Sequence, residues 1–586
     1  MIKLVKGYTK IFKGMKLPWL LLFFVVAISM VKSHVEVEAV TITASIIDGT
    51  QNSIKTDELV RYIEFQLLAG AITIAFTYIS GLVLQKINLA VRLKVWNKMM
   101  HLPTSYYDSD NVNELVTRVT TDADNAGNYF QLLINIFVAA YAGIVAYQKL
   151  FSFQSKMALA SLLVIPVLMG ITVLYSVLSY KTGMKARIRL AAVMGYLAEH
   201  VRGLRLIKSF RMEEEEYKKA EELFGKQCKA DIFLSYTSMI QLGGMEIMGC
   251  LTIVISFVLG SKMVAAGDLT VGKLIGFYTL CGLATVRLAE ICTHFGTFSQ
   301  NAGIVQKIGD ILECPEEPEE GYEMDMADAD IVLDHVDFSY QTVPVLKDLN
   351  CSIPKGKVTA IVGTNGAGKS TLFKLLERMY DPSAGKICFG DRDVTQFKLS
   401  SWRKSFAIVS QDKPILSGTV RDNIIYGVER PVSEEELVHV AKMANIYDFI
   451  MNTPGQFDAQ AGPGGSNFSG GQQQCIAIAR AMMRNPDYLL LDEATSNLDV
   501  KSEQLVTEAL SNLMKNRTTI LIAHNYSATI FADQVIVLCD GEIKGCGTPE
   551  ELLETNEYYR AFAKAGAGIA QQGRSAVGKE SYKQHG

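Results

Sequence analysis

Lys357-Val358-Thr359-Ala360-Ile361-Val362-Gly363-Thr364-Asn365-Gly366-Ala367-Gly368-Lys369-Ser370-Thr371 decides how the second half of this chain folds. Lys357 to Val362 is a strand-like run, and a helical pattern starts at Lys369. The glycines between them permit a tight turn whose backbone N–H groups point inward, beside the positive end of a helix dipole, which is how a loop holds phosphate oxygens. At this spacing Lys369 reaches the β- and γ-phosphates and Ser370 is placed to ligate Mg²⁺. The expectation is a mainly parallel α/β sheet with a nucleotide at its strand ends.

Further along, Tyr488-Leu489-Leu490-Leu491-Asp492-Glu493 is an apolar strand ending in two carboxylates. Asp492 suits the metal shell and Glu493 the base that polarises water, because phosphoryl transfer is carried mostly by positioning and charge neutralisation. Asn467-Phe468-Ser469-Gly470-Gly471-Gln472 opens a helix that runs to Asn485 before Pro486. Ser469 can cap it, and Gly470 and Gly471 let backbone donors approach an anion, yet the segment completes no site by itself.

In this order the motifs resemble the nucleotide-binding domain of the ATP-binding cassette (ABC) transporters. The resemblance implies that Tyr340 stacks on adenine and that the loop Gly363 to Thr371, including Thr364, Asn365, Gly366, Ala367 and Gly368, cradles ATP. It implies that Gln411 contacts Mg²⁺ and the attacking water and that His524, after the apolar run Thr518 to Ala523, contacts the γ-phosphate. Ser496 and Asp499 fall in the segment that crosses between paired domains. Ser469, Gly470, Gly471 and Gln472 would close on the ATP held by the other domain. The chain has one copy of each motif, so two chains are required. No position needed for hydrolysis is lost, which favours a homodimer while leaving a heterodimer open.

The first half reads as membrane. The 586-residue chain has 49% apolar residues and a mean hydropathy of +0.17, with the excess before about residue 300. Apolar stretches of roughly 20 residues, enough to cross a bilayer, lie near 17–42, 63–85, 129–148, 157–179, 238–264 and 271–297. The segments joining the second to the third and the fourth to the fifth carry Arg92, Lys94, Lys98, Lys185, Arg187, Arg202 and Lys208, so the positive-inside rule agrees with a cytoplasmic N-terminus and ATPase half; the expected location is a bacterial plasma membrane. Leu4, Tyr8, Ile11 and Met15 fall on one face opposite a row of lysines and read as an interfacial helix. The ten cysteines form no CxxC pair, which argues against structural disulfides, and a net charge of −4 argues against nucleic acid as a partner. Leu102 to Asp108 with Asn113 to Arg118, and Leu204 to Phe210, resemble the two intracellular loops of ABC exporters.

Ionisable residues inside spans are costly and mark pathways. Glu246 and Arg287 lie about 20 residues on either side of Gly267, which at a rise of about 1.5 Å per residue puts both at matching depth, placed to pair. Glu290 and His294 share the Arg287 face, so Glu246, Arg287, Glu290 and His294 are candidates for the substrate pathway. The expected organisation is an α-helical membrane domain of six spans over 1–310, an acidic linker at 311–330, an α/β ATPase domain over 331–567 and a disordered tail at 568–586.

Two departures from the family pattern stand out. Gln473, Gln474 and Cys475 replace basic residues, and Gln460 to Gly464 lacks the usual carboxylates, which places doubt on coupling contacts and not on ATP binding. The expected function is ATP-driven export of an amphipathic drug, peptide or lipid by alternating access. The ATPase motifs do not encode direction, so a siderophore-type importer on the same fold stays open; an ATP-gated channel is disfavoured by intact Glu493 and His524.

Overall fold

The computed structural model describes residues 10–49, 56–108, 112–324, 329–412, 415–492 and 498–564. The expectations for Leu4 and Tyr8, for Glu493 and Ser496, and for the tail 568–586 lie outside these residues. The chain forms two compact units: Met1–Leu102 with Asp110–Pro315, and Pro103–Ser109 with Glu316–Gly586.

The first unit is built on six long helices: α1 (Trp19–Gly49), α2 (Thr56–Met100), α3 (Ala123–Phe153), α4 (Val164–Arg202), α5 (Glu213–Ala265) and α6 (Val271–Glu313). Each carries an apolar window long and uncharged enough to cross a membrane. They also overshoot it: the 53 residues of α5 amount to about 80 Å at ~1.5 Å per residue, against a hydrocarbon core of about 30 Å. Sequence periodicity predicts this excess as long polar extensions, and the charged first turn Glu213 to Glu216 begins one of them.

Helix α6 packs on α3 and α1, while α4 pairs with α5. Val40, Leu150, Met157, Leu274, Phe277 and Leu280 form the buried cluster between them. Small residues permit the approach: a Cβ on Gly272 would stand 2.1 Å from the Ala44 carbonyl oxygen. Asp48 then fastens the end of α1 to the start of α6, accepting from the Gly272 N–H at 2.7 Å and the Thr270 hydroxyl at 2.6 Å, where a helix N-terminus favours negative charge. At the other end, Lys94 donates to the carbonyls of Lys10, Ile11 and Lys13 at 3.0, 2.8 and 2.7 Å, and Ile11 is fully buried. Lys10 pairs with Glu313.

The second unit holds two sheets. In the first, β1 (Ile331–Tyr340), β2 (Val343–Ile353), β4 (Ala384–Phe389) and β5 (Arg392–Asp393) run antiparallel in the order β2-β1-β4-β5. The second has the order β10-β9-β3-β8-β7-β6, from β3 (Val358–Val362), β6 (Phe406–Val409), β7 (Tyr488–Asp492), β8 (Thr518–Ile522), β9 (Gln534–Cys539) and β10 (Glu542–Gly547). All its neighbours are parallel except β10 on β9. Strands β3, β7 and β8 are buried on both faces, which is why they read as unbroken apolar runs without alternation.

A short helix, Thr104–Tyr107, belongs to this second unit although its sequence neighbours belong to the first. Its Thr104 hydroxyl donates to the Met379 sulfur at 3.3 Å, and the Tyr380 hydroxyl donates to the Asp108 carboxylate. The main break in the chain falls between Pro315 and Glu316. All ten cysteines are free thiols.

Candidate functional site

The order β3-β8-β7-β6 converts motifs scattered over 160 positions into neighbours. Ile361 pairs with Ile522, Asp492 pairs with Ile522, and Val409 pairs with Leu491, so the loop after β3, His524 after β8, Asp492 at the end of β7 and Gln411 after β6 all emerge at the carboxyl ends of adjacent parallel strands. That edge is where open α/β sheets bind ligands.

A cleft of about 500 Å³ opens there, lined by Val345, Asn365, Gly366, Gly368, Lys369, Ser370, Thr371, Gln411 and His524. The turn demands its glycines: a Cβ on Gly363 would stand 2.0 Å from the Leu538 carbonyl oxygen, and Gly368 has φ 101° as it enters α7 (Lys369–Leu376). Lys369 is 6% exposed, and its ammonium donates to the Gly363 and Thr364 carbonyls at 2.9 and 3.0 Å. The loop thus folds around its own cation, which faces the cleft. Val345, on β2, escapes sequence reading because nothing in an apolar strand marks which residue will border the turn.

Among the oxygen donors near the cleft are the Ser370 hydroxyl and the Gln411 amide, with the Asp492 carboxylate at the neighbouring strand end. This hard-oxygen set fits a cation such as Mg²⁺. Tyr340 is not among the lining residues. Its ring meets Tyr380 edge-on at 5.3 Å and Phe338 at 4.9 Å, and its hydroxyl accepts from Lys374 at 3.3 Å. Through Tyr380 it is one ring away from Asp108.

The far end of α7 is held by Trp402, fully buried, whose indole N–H donates to the Leu376 carbonyl at 2.8 Å. The next residue, Glu377, is a carboxylate at a helix C-terminus, where the dipole opposes it. Burial pushes its carboxyl up to about 7, with Arg403 and Lys374 opposing only in part. A raised acid binds its proton in the folded state at pH values where the unfolded chain has released it, so stability is lost as pH rises from the ordinary value near 4.5 through about 7. Glu377→Gln is therefore expected to raise the melting temperature of the ATPase half at pH 8 and to leave it nearly unchanged at pH 4.5. A gain equal at both values would show that burial of the charge is not the cause.

Ser469 caps α8 (Gly470–Arg484) in a reciprocal box, its hydroxyl accepting the Gln472 N–H at 3.4 Å while the Gln472 side chain accepts the Ser469 N–H at 2.8 Å. Ser469 and Gly470 are exposed, and none of Ser469 to Gln472 lines the cleft. Gly471 has a packing duty as well: a Cβ there would meet Ser502 of α9 (Val500–Met514) at 2.6 Å. Asp499 caps that helix, and Ser502, through its hydroxyl and then its N–H, holds the Asp499 carboxyl below its ordinary range. Gln473 donates to the Gly465 and Phe468 carbonyls at 2.8 and 3.2 Å, so the missing basic residue is replaced by an amide that ties loop to helix. Cys475 is core, and burial pushes its thiol up to about 11.

In the first unit Arg287 does not pair with Glu246. It donates to Glu36 at 2.9 Å and to both oxygens of Glu290 at 3.1 Å. Glu246 is exposed, and the reason is helical phase: the buried stripe of α5 runs through Thr237, Gln241, Gly244, Met248 and Thr252, and Glu246 lies half a turn off it. Arg287, Glu290 and His294 instead face a cavity of about 220 Å³ shared with Lys32 and Glu36 of α1, Phe76 of α2 and Asn135 of α3. Lys32 and Glu36 escaped a depth argument that compared only the last two spans. Their signal was nevertheless present, as two opposite charges four apart inside the first apolar run.

Family models describe the two halves: residues 20–288 match the ABC transporter transmembrane region and residues 346–496 match the ABC transporter domain. A relative from Lactococcus lactis subsp. cremoris, named a multidrug resistance ABC transporter ATP-binding and permease protein, is 29% identical over 97% of both chains. Another from Staphylococcus aureus, provisionally named a multidrug export ATP-binding/permease protein, is 30% identical over 95% of this chain and 98% of its own. The fold is similar to a solved bacterial Atm1-family ABC exporter with ATP bound, at a TM-score of 0.80 and 22% identity over 92% of this chain and 96% of that one. With that identity over nearly its full length, this chain belongs to the ABC transporters: it is an integral membrane protein that binds ATP, couples its hydrolysis to transport and works as a dimer.

Proposed function

We propose that two copies of this chain form a homodimeric exporter in a bacterial plasma membrane, with the ATPase halves in the cytoplasm. The cargo is an amphipathic drug, peptide or lipid. The observation that carries the dimeric site is that Ser469 to Gln472, with Ser469 and Gly470 exposed at the capped start of their helix, line no part of their own chain's cleft. In this reading the backbone N–H groups of Gly470 and Gly471, at the positive end of that helix, serve ATP on the partner's loop. The names of the relatives, given for multidrug resistance and multidrug export, support the outward direction and the amphipathic class.

In this reading Lys369 holds the β- and γ-phosphates, Tyr340 stacks on the base, Glu493 polarises the attacking water and His524 contacts the γ-phosphate. Ser370, Gln411 and Asp492 would hold Mg²⁺, which when bound neutralises charge on the phosphate oxygens. Closure of the two ATPase halves on ATP biases the membrane helices outward, and the difference in ATP affinity between open and closed dimers is the coupling energy.

Two measurements test this. Glu493→Gln should lower steady-state ATP hydrolysis by roughly a hundredfold or more while ATP still binds. In that background, a chain carrying Ser469→Cys mixed with a differently tagged chain carrying Asn365→Cys should cross-link between chains when ATP is added. No cross-linking between the two tagged chains with ATP, or equal cross-linking without nucleotide, would overturn the shared site.

A further inference from the structure

The cavity among α1, α2, α3 and α6 contains a linear charge network that a route for lipophilic cargo does not require. Lys32 lies 3.7 Å from Glu36, Glu36 accepts from Arg287 at 2.9 Å, and Arg287 forks onto Glu290 at 3.1 Å. Two positive and two negative side chains alternate along one wall and sum to zero. Arg287 is the middle of the chain, with both terminal nitrogens engaged and its Nε buried without a partner among the described residues. The two ends are looser. Lys32, beyond hydrogen-bond length from Glu36, keeps donors to spare over the Phe76 ring at 5.5 Å, and Glu290 is the most open acid of the set, its side chain 40% exposed.

A lone cation arriving here would meet carboxylates already balanced by Arg287 and Lys32 and would leave its own charge uncompensated in a medium of low dielectric. A lone anion meets the mirror problem at Lys32. A molecule carrying an ammonium at one end and an anion at the other faces neither penalty, since it adds one pair at each end of the network and transfers no net charge. The volume, about 220 Å³, is below the range of about 300–1,000 Å³ usual for drug-sized ligands, and suits a compact polar group. We infer that this cavity binds a zwitterion, with the ligand's ammonium on Glu290 and its anionic end on Lys32. The inference rests on the transporter reading above and narrows its cargo.

Zwitterions reach such a site from water, as a free peptide, or from the bilayer, as a phosphatidylethanolamine headgroup. The test uses the full-length dimer in phosphatidylglycerol nanodiscs at about pH 7, where a peptide α-amino group is mostly ammonium, with trialanine, N-acetyl-trialanine and trialanine amide as probes, read by calorimetric binding and by stimulation of ATP hydrolysis. Trialanine is expected to bind about tenfold or more tighter than either blocked form. Glu290→Gln should erase the distinction between trialanine and its N-acetyl form only, and Lys32→Gln the distinction between trialanine and its amide only. A general loss of fold would instead weaken all probes together. Adding phosphatidylethanolamine should compete with trialanine, with the same dependence on both residues, if the bilayer is the source; no competition assigns the site to soluble zwitterions. Equal binding of free and blocked peptides, or tighter binding of tetraphenylphosphonium that depends on Glu290, overturns the inference. Loss of basal ATP hydrolysis in wild-type nanodiscs would count against the transporter reading instead, so the two failures are distinguishable.

Discussion

Lys369→Met is expected to reduce steady-state ATP hydrolysis by roughly a hundred- to a thousandfold and to abolish transport. Methionine keeps the stem that packs in the loop and removes the ammonium, which at 6% exposure has little water to replace it. Two costs separate cleanly. In the folded protein the change removes two hydrogen bonds to the Gly363 and Thr364 carbonyls, about 1–2 kcal/mol of local stability. In the transition state it removes a fixed positive charge beside phosphate oxygens in a site built to exclude solvent reorganisation, and that is the larger loss. Phosphate release from purified dimers, with melting temperature measured on the same sample, checks both. Hydrolysis within threefold of wild type would remove Lys369 from the site.

Trp402→Ala is expected to be the most destabilising single change in the ATPase half, by about 4 kcal/mol, equivalent to about 10 °C in that half's transition. Its ring is wholly buried among Phe389, Phe397 and Phe406 at 6.0, 6.1 and 5.1 Å. Removing it leaves a cavity and strips the Leu376 carbonyl of its partner at the end of the helix that begins with Lys369. ATP affinity should fall with stability, because the same helix is loosened. Trp402→Phe fills most of the space and lacks the donor, so it isolates the hydrogen bond, at about 1–2 kcal/mol. Equal melting temperatures for the Ala and Phe variants would show that the hydrogen bond, and not the packing of the ring, holds this corner together.

Much of this was legible in residues, and what was not has physical causes. The glycine loop announces itself because only glycines tolerate its backbone, and the strands β3, β7 and β8 because a sheet covered on both faces has no polar side to show. The strand order that brings Gln411, Asp492 and His524 together is a long-range pairing choice with no local signature, and only the family resemblance supplied it. The membrane cluster shows the opposite failure. Glu246 and Arg287 matched in depth, but depth fixes one coordinate of a helix residue and phase the other. Glu246 sits at the wrong phase. Glu36, far away in sequence, has both right. Local chemistry also hid inside the motifs: Gly471 and Asp499 carry packing and capping duties that a reading centred on nucleotide did not assign.

The short helix Thr104–Tyr107, whose flanks Thr104 and Asp108 bond to Met379 and Tyr380, makes the ATPase unit discontinuous in sequence. Heredity then sees a different partition from the eye. A gene fragment starting at Glu316 encodes most of the unit but lacks the seven-residue piece that the chain lends it from the other half. A recombination event that exchanged the soluble half for a relative's would carry Tyr380 away from the Asp108 it was selected with. Successful chimaeras of this transporter should therefore be double crossovers, taking Pro103–Ser109 along with the C-terminal half, and the two segments should be inherited as one unit.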